Sequence, residues 1–359
     1  MPDLWTLTVS SPGRAAGFAR RAEAAGWAGM AVVDSQNLAG DSYVALTLAA
    51  QATTTLGLAT GVTNPVTRHP AVTASAIASL QIASGGRAVL GIGRGDSALA
   101  HLGRAPAPVG AFERYLAALQ AYLRGEAVAF SDLDFHEQIA PPVESLGLAD
   151  TPKQSRLVWI DPQVSKVPVE VAATGPRVIS AAARHADRVM FALGADPDRI
   201  AWGIEVAREA RTAAGRPESA ITFGAYVNLI CHPEIETARQ LVAGGLTSFA
   251  RFAVMHGQTQ GPVSADQAEV LEKIHSAYNM REHTRADSDH ATNLPPAFVD
   301  RYAIVGAPAR CIERIEELAR LGLSKLVIIG PTAGTDPQQA ARSAGMLAEE
   351  VLPAFRTPR

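Results

Sequence analysis

Short apolar, β-branched runs alternate with longer Ala-rich stretches of helical period along most of the chain. Residues 5–9, 29–33, 56–62 and 87–92 form the first four runs, and the stretches 12–26, 43–53, 71–84 and 112–123 that follow them are helical in period. Runs of this kind predict buried strands, and the regular strand-then-helix order predicts βαβ units around a parallel sheet. Right-handed crossovers leave a closed barrel or an open doubly wound sheet.

The rhythm breaks at about 125–166, a segment containing Pro141, Pro142, Pro152 and Pro162, and resumes with a strand at 167–173 and a helix at 177–185. A strand at 188–191, a helix at about 197–214 and a strand at 221–230 follow. A second break, about 258–302, includes the charged run 281–290 and leads to a helix at 309–321, a strand at 325–329 and a last helix at 338–350. Eight strand–helix pairs predict an α/β fold of the (β/α)8 TIM-barrel class, a single domain over 1–359, with insertions before strands 5 and 8. Insertions this long are functional lids or solvated excursions. Chemistry in such a barrel sits at the C-terminal ends of the strands, which directs attention to Asp34-Ser35 and to 61–64, 93–96 and 174–178.

Composition narrows the function classes. The 359 residues are 47% hydrophobic, enough for a large core, and 32 basic against 35 acidic side chains give a formal charge of −3. No basic stripe marks a nucleic-acid or anionic-membrane surface, and no apolar run reaches the roughly 18–20 residues that cross a bilayer. The two cysteines, Cys231 and Cys311, form no CxxC and no metal spacing, and the first residues lack the features of a signal peptide. A cytoplasmic protein acting on a small molecule, without nucleic acid or membrane, is the expectation. No H-E-x-x-H, G-x-S-x-G or Walker loop occurs, so no metal, serine-hydrolase or P-loop chemistry is expected.

Three segments carry candidate chemistry. Gly91-Ile92-Gly93-Arg94-Gly95-Asp96 follows a strand, but Asp96 occupies the third glycine position of a dinucleotide fingerprint and would repel a pyrophosphate. It reads either as an ordinary glycine-rich turn, with Asp96 as a helix N-cap, or as a place where backbone approaches a flat ligand. Ala173-Thr174-Gly175-Pro176-Arg177 ends a strand and opens a helix. Free N–H groups, the helix dipole and the Arg177 charge suit a phosphate; the alternative is a plain turn with a solvated arginine. Thr60-Gly61-Val62-Thr63-Asn64-Pro65 carries a buried strand into polar residues with room for a bulge. Downstream, His69 is a candidate base or a cap, and His101 is similarly placed after Asp96.

Taken together, and with Val32-Val33-Asp34 and Val305-Gly306-Ala307-Pro308, these segments resemble the bacterial luciferase-like superfamily of flavin- and deazaflavin-dependent oxidoreductases over nearly the whole chain. The Gly-Ile-Gly-x-Gly-Asp form beside Gly61-Val62 is most similar to its methylenetetrahydromethanopterin reductase-like members. The resemblance implies a non-prolyl cis peptide at Gly61-Val62 pressing on one face of a deazaflavin, with the coenzyme phosphate on Thr174, Gly175 and Arg177. It implies a wider cofactor site of Thr60, Gly61, Val62, Asn64, Gly93, Arg94, Gly95, Ala173 and Val178. Superfamily members that oxidise sugar phosphates carry a histidine where Ser35 stands here, so that chemistry is not expected.

The expected function is hydride transfer between coenzyme F420 and a small organic substrate. The alternatives are an FMN-dependent monooxygenase and a non-catalytic flavin-binding protein. Asp34 and Asp96 are the acid/base candidates, since a carboxylate sequestered at a barrel mouth can hold a proton near neutral pH. His69 joins them, and His101 is held in reserve. Asp289, His290 and Asn293 are the expected lid residues, and the Ala-rich helices after strands 2 and 3 are the expected faces of a homodimer or higher homo-oligomer.

Overall fold

Side chains on a strand point alternately to opposite faces, so each strand here divides its residues between a barrel interior and a surrounding helical shell. The computed structural model describes residues 1–134, 138–255 and 257–356. Its first four strands are β1 (Asp3–Val9), β2 (Gly29–Val33), β3 (Gly57–Thr60) and β4 (Ala88–Ile92). β5 (Val128–Ala129) and β6 (Gln154–Ser155) make a small antiparallel pair inside the first insertion. β7 (Val169–Ala173), β8 (Arg188–Phe191), β9 (Thr222–Cys231), β10 (Ile304–Gly306) and β11 (Leu323–Ile329) complete the set. The parallel order β1-β2-β3-β4-β7-β8-β9-β11 closes back on β1, giving the (β/α)8 barrel, while β10 pairs with the far end of β9.

The shell helices are α1 (Pro12–Ala25), α2 (Ser42–Ala52), α3 (Pro70–Ala83), the single-turn α4 (Ser97–Ala100) and α5 (Val109–Leu123). After β7 come α6 (Pro176–His185), α7 (Pro197–Ala213) and α8 (Ile235–Ala250), then α9 (Ala265–Ala277), α10 (Pro296–Tyr302), α11 (Pro308–Arg320) and α12 (Pro337–Met346). Proline in the first turn starts many of them, and Asp41, Asp196 and Asp336 cap α2, α7 and α12 through their carboxylates. No described helix is long and apolar enough to cross a membrane.

Two sequence expectations change. The third strand ends at Thr60 rather than Val62, because the chain leaves the ladder at Gly61 and Val62 and returns only as a single bridge between Thr63 and Ile92. The second insertion is not an irregular loop. Ser264 and Gln267 form a capping box that starts α9, whose Val270, Leu271 and Ile274 pack with α8 and α10 into a separate apolar cluster. Nor did the sequence reading assign α8, which seals the barrel beside β9.

Below the mouth, the barrel is plugged by a charged layer. Gly29 and Gly57 leave room for the Trp5 indole, which a Cβ at either position would meet at 2.5 Å. Lys325 Nζ lies 3.4 Å from the Trp5 ring centroid and 2.8 Å from Glu170 Oε2, and the other Glu170 oxygen accepts from Arg188. Removing one partner of a buried ion pair costs far more than replacing both by apolar groups. Glu170→Ala is therefore expected to destabilise the fold by about 3–5 kcal/mol, and Glu170→Leu combined with Lys325→Met to recover most of that, both read from urea unfolding.

Candidate functional site

The C-terminal ends of the strands surround a cavity of about 1060 Å³. Its floor is made where β3 and β4 come closest. The Gly91 carbonyl accepts from both Thr60 Oγ1 (2.7 Å) and Thr63 N (3.0 Å), and Gly93 N donates to Thr63 O (2.9 Å). These bonds hold the intervening Gly61–Val62 segment against the cavity, and the Gly61–Val62 peptide is cis, the bond named by the resemblance. Gly93 adds no side chain to this floor, and Gly95 turns the chain at φ +84°, where a Cβ would collide with Leu99.

Asn64 stands at the edge of the floor. Its Oδ1 accepts from the N–H groups of Val66 and Thr67 at 3.0 and 3.1 Å, which fixes the amide. Its buried Nδ2 has no hydrogen-bond partner among the described residues, so a donor at the cavity wall awaits an acceptor. At one end of the cavity, Arg94 and Arg177 share the wall with Thr174, Gly175 and Val178 at the start of α6. Burial first, and then the Arg177 charge, lower the Arg94 pKa from its ordinary value; two guanidinium groups this close favour an anion between them. The opposite wall is apolar, built from Tyr226, Phe249, Phe252 and Met255.

Of the expected site residues, Gly61, Val62, Asn64, Gly93, Arg94, Gly95, Asp96, Thr174, Gly175, Arg177 and Val178 line this cavity, whereas Thr60, Ala173, Asp34 and His69 do not. Strand parity explains three of the four. Ala59, Ala172 and Val33 face inward, so Thr60, Ala173 and Asp34 turn toward the helical shell. Asp34 is buried there against Arg68 (2.9 Å) and accepts from Gln36 Nε2 (2.8 Å). His69 caps α3 instead, its Nδ1 accepting from Ala71 N at 3.2 Å, and burial lowers its pKa.

Asp96 does reach the cavity, but as an ion-pair partner of Arg251, and its side chain does not cap α4. Both aspartates are thus engaged by guanidinium groups, Asp34 by Arg68 and Asp96 by Arg251, and of the two only Asp96 lines the cavity. His101 ends α4 and lines the cavity, with a buried Nε2 that has no partner among the described residues. Asp289 and Asn293 are exposed, and His290 is buried against the Tyr278 ring at 4.3 Å; none of the three lines the cavity. The second insertion contributes Met280, Arg281, His283 and Thr284 instead. Arg251 and His283 were missed by sequence reasoning. Among the described residues no cluster of His, Cys, Asp or Glu is arranged to hold a metal ion.

The sequence profile of the luciferase-like monooxygenase family matches residues 3–325. The chain is 27% identical over 326 residues to a 5,10-methylenetetrahydromethanopterin reductase of Archaeoglobus fulgidus, covering 88% of this chain and 87% of that one. Its structure superposes on the coenzyme F420-dependent tetrahydromethanopterin reductase of Methanopyrus kandleri with a TM-score of 0.70 at 22% identity, over 99% of both chains. An F420-dependent secondary alcohol dehydrogenase bound to an F420–acetone adduct also gives 0.70, at 17% identity over 99% of this chain and 100% of that one.

His283 supplies a pH prediction. Burial first, and next the Arg251 charge, push its pKa down to about 4, so the unfolded chain binds this proton at a pH where the folded one does not. Its contribution to stability is therefore full above the ordinary histidine range and is lost as pH falls from about 6.5 toward 4. Urea midpoints of the wild type should fall across that window more steeply than those of His283→Gln.

Proposed function

The chain belongs to the luciferase-like monooxygenase family and is an oxidoreductase, and we propose that it uses the deazaflavin coenzyme F420 to move a hydride to or from a small organic substrate. One observation carries this reading: a floor of Gly61, Gly93 and the small Val62 side chain, edged by a fixed amide with no acceptor among the described residues, with Arg94 and Arg177 at one end. When bound, the coenzyme supplies the hydride chemistry. Gly61, Val62 and Gly93 support its flat ring, and Asn64 Nδ2 donates to a ring acceptor. Thr174, Gly175, Arg177 and Arg94 hold its phosphate, which agrees with the positive end of α6. The aromatic wall excludes water from the substrate side.

The second reading is an FMN-dependent monooxygenase, favoured by the family's name, while the F420-dependent proteins of the same fold favour the deazaflavin. Titrations with each oxidised cofactor decide between them. F420 should bind more tightly than FMN, and Arg177→Ala should weaken F420 binding by roughly 10- to 150-fold, the value of a charged hydrogen bond. Tight FMN binding with none for F420 overturns the assignment.

We also propose a second copy of this chain as partner for the face made by α2 and α3. These neighbouring helices carry no charged side chain between them, yet expose Val44, Leu48, Val72 and Ile82. Sedimentation at micromolar concentration should give a dimer or larger for the wild type and a monomer for Leu48→Glu with Val72→Glu. A monomeric wild type overturns this.

A further inference from the structure

The glycine-rich turn after β4 and the second insertion meet across the cavity mouth through one histidine. His283 Nε2 lies 2.8 Å from Ser97 Oγ, and its Nδ1 lies 2.5 Å from the Tyr278 hydroxyl. Tyr278 Oη is 3.0 Å from Ser248 Oγ, and Ser97 Oγ is 3.3 Å from the Asp96 carboxylate that pairs with Arg251. Donor and acceptor bookkeeping gives these bonds a consistent direction. The paired Asp96 only accepts, so the Ser97 hydrogen points to it and the Ser97 lone pair takes a hydrogen from His283 Nε2. His283 Nδ1 then accepts from Tyr278, and the single Ser248 hydrogen is shared between the Tyr278 oxygen and the Gly244 carbonyl 2.9 Å away. Ser97, His283 and Ser248 face the cavity, and Tyr278 stands partly exposed behind them.

The charged and titratable groups around His283 are Arg251, Asp96, His101, His290 and Tyr278. Burial and the Arg251 charge outweigh Asp96, and the imidazole is neutral at pH 7. A neutral imidazole with a donor on one nitrogen and an acceptor on the other passes protons without holding a charge. The wall beside it is Tyr226, Phe249 and Phe252, which suits a carbon skeleton with few polar groups.

We propose that Ser97 and His283 form the proton-transfer arm of this site, and that the substrate is an apolar carbonyl compound whose oxygen meets Ser97 Oγ. This rests on the F420 reading above. In the reducing direction the carbonyl carbon gains a hydride from the reduced deazaflavin, which is thereby oxidised by two electrons. The C=O π pair moves onto oxygen, and an O–H bond forms there as the Ser97 O–H bond breaks. Ser97 turns from Asp96 to deliver this proton and recovers one from His283 Nε2, while His283 Nδ1 takes the proton of Tyr278. Water returns a proton to Tyr278, and the product is an alcohol. Oxidation runs the same transfers backward. Ser97 is the catalytic residue of the arm; Asp96 and Tyr278 position it.

The arm is tested first without any cofactor, by NMR of the full chain carrying ¹⁵N-labelled histidine. His283 should show the Nε2–H tautomer between pH 5 and 8, and Tyr278→Phe should remove that preference. An Nδ1–H tautomer, or titration near the ordinary histidine value, overturns the arm. Turnover is then followed as oxidation of reduced F420 by 2-octanone. Ser97→Ala should lower kcat by roughly 10²–10⁴-fold with F420 affinity unchanged, and Ser97→Thr, which keeps the hydroxyl, should retain most of the activity. A wild type that binds F420 but does not reduce the ketone overturns the carbonyl assignment. A wild type that does not bind F420 overturns the proposed function instead, and the tautomer measurement then decides the arm alone.

Discussion

The backbones of β3 and β4 approach so closely at the barrel mouth that a Cβ on Gly91 would lie 2.1 Å from the Thr60 carbonyl oxygen. No rearrangement of a flexible side chain relieves a collision with backbone, so glycine at 91 is a condition for the geometry above it. Because the strands can touch there, one carbonyl serves both Thr60 and Thr63, and the two residues between them, Gly61 and Val62, line the cavity with no side chain larger than an isopropyl group. Asn64 follows at once, and its amide is fixed by the turn that this segment begins. The flat floor and its polar edge are thus consequences of one close approach.

Charge is distributed over this frame so that the carboxylates are occupied by partners. Asp34 pairs with Arg68, Asp96 with Arg251, and Glu170 with Lys325 and Arg188. A buried carboxylate with a guanidinium beside it organises structure, whereas one left alone would hold its proton and serve as an acid. The groups lining the cavity outside these ion pairs include hydroxyls and imidazoles, those of Ser97, Ser248, His101 and His283. Positive charge gathers instead near the start of α6, where Arg177 and Arg94 both line the cavity and each feels the other's charge. The arginine pair and the aromatic wall therefore differ in what they can bind, an anion at one and a carbon skeleton at the other.

The barrel was legible because its strands are unbroken apolar runs, each followed by a helix of clear period. The cavity-lining residues were legible in part because glycine and polar residues interrupt those runs at their ends. Sequence proximity to the motif was weaker than parity: Thr60, Ala173 and Asp34 sit one position out of phase with inward neighbours, and the alternation along β2, β3 and β7 contained that information. His69 is a cap because Pro70 starts α3 immediately after it. Arg251 and His283 lay beyond such reasoning. They reach Asp96 and Ser97 across 155 and 186 positions of sequence. His283 also sits in a charged run that reads as a solvated surface. The same run concealed that the insertion around it folds into helices with a core of their own.

The plug of the barrel bears on the site above it. Trp5 lies across Gly29 and Gly57 and beneath Lys325, filling the lower interior, while Leu7, two residues along the same strand, already faces the cavity. Glu170 stands in the same relation to the cavity-lining Ala172 on β7, so the charged network lies directly below the cavity on both strands. A barrel filled with aliphatic side chains at that level would be equally stable by the arithmetic of buried ion pairs. What the charged layer adds is direction: Glu170 must face Lys325 and Arg188, and a one-residue slip of β7 or β11 would expel those charges into the helical shell. Register at the bottom thereby fixes which residues of β7 emerge inward at the top, Ala172 toward the cavity and Ala173 away from it. Trp5 thus fills the plug and Tyr226, Phe249 and Phe252 one wall of the cavity, while the floor between them is built from Gly61, Val62 and Gly93.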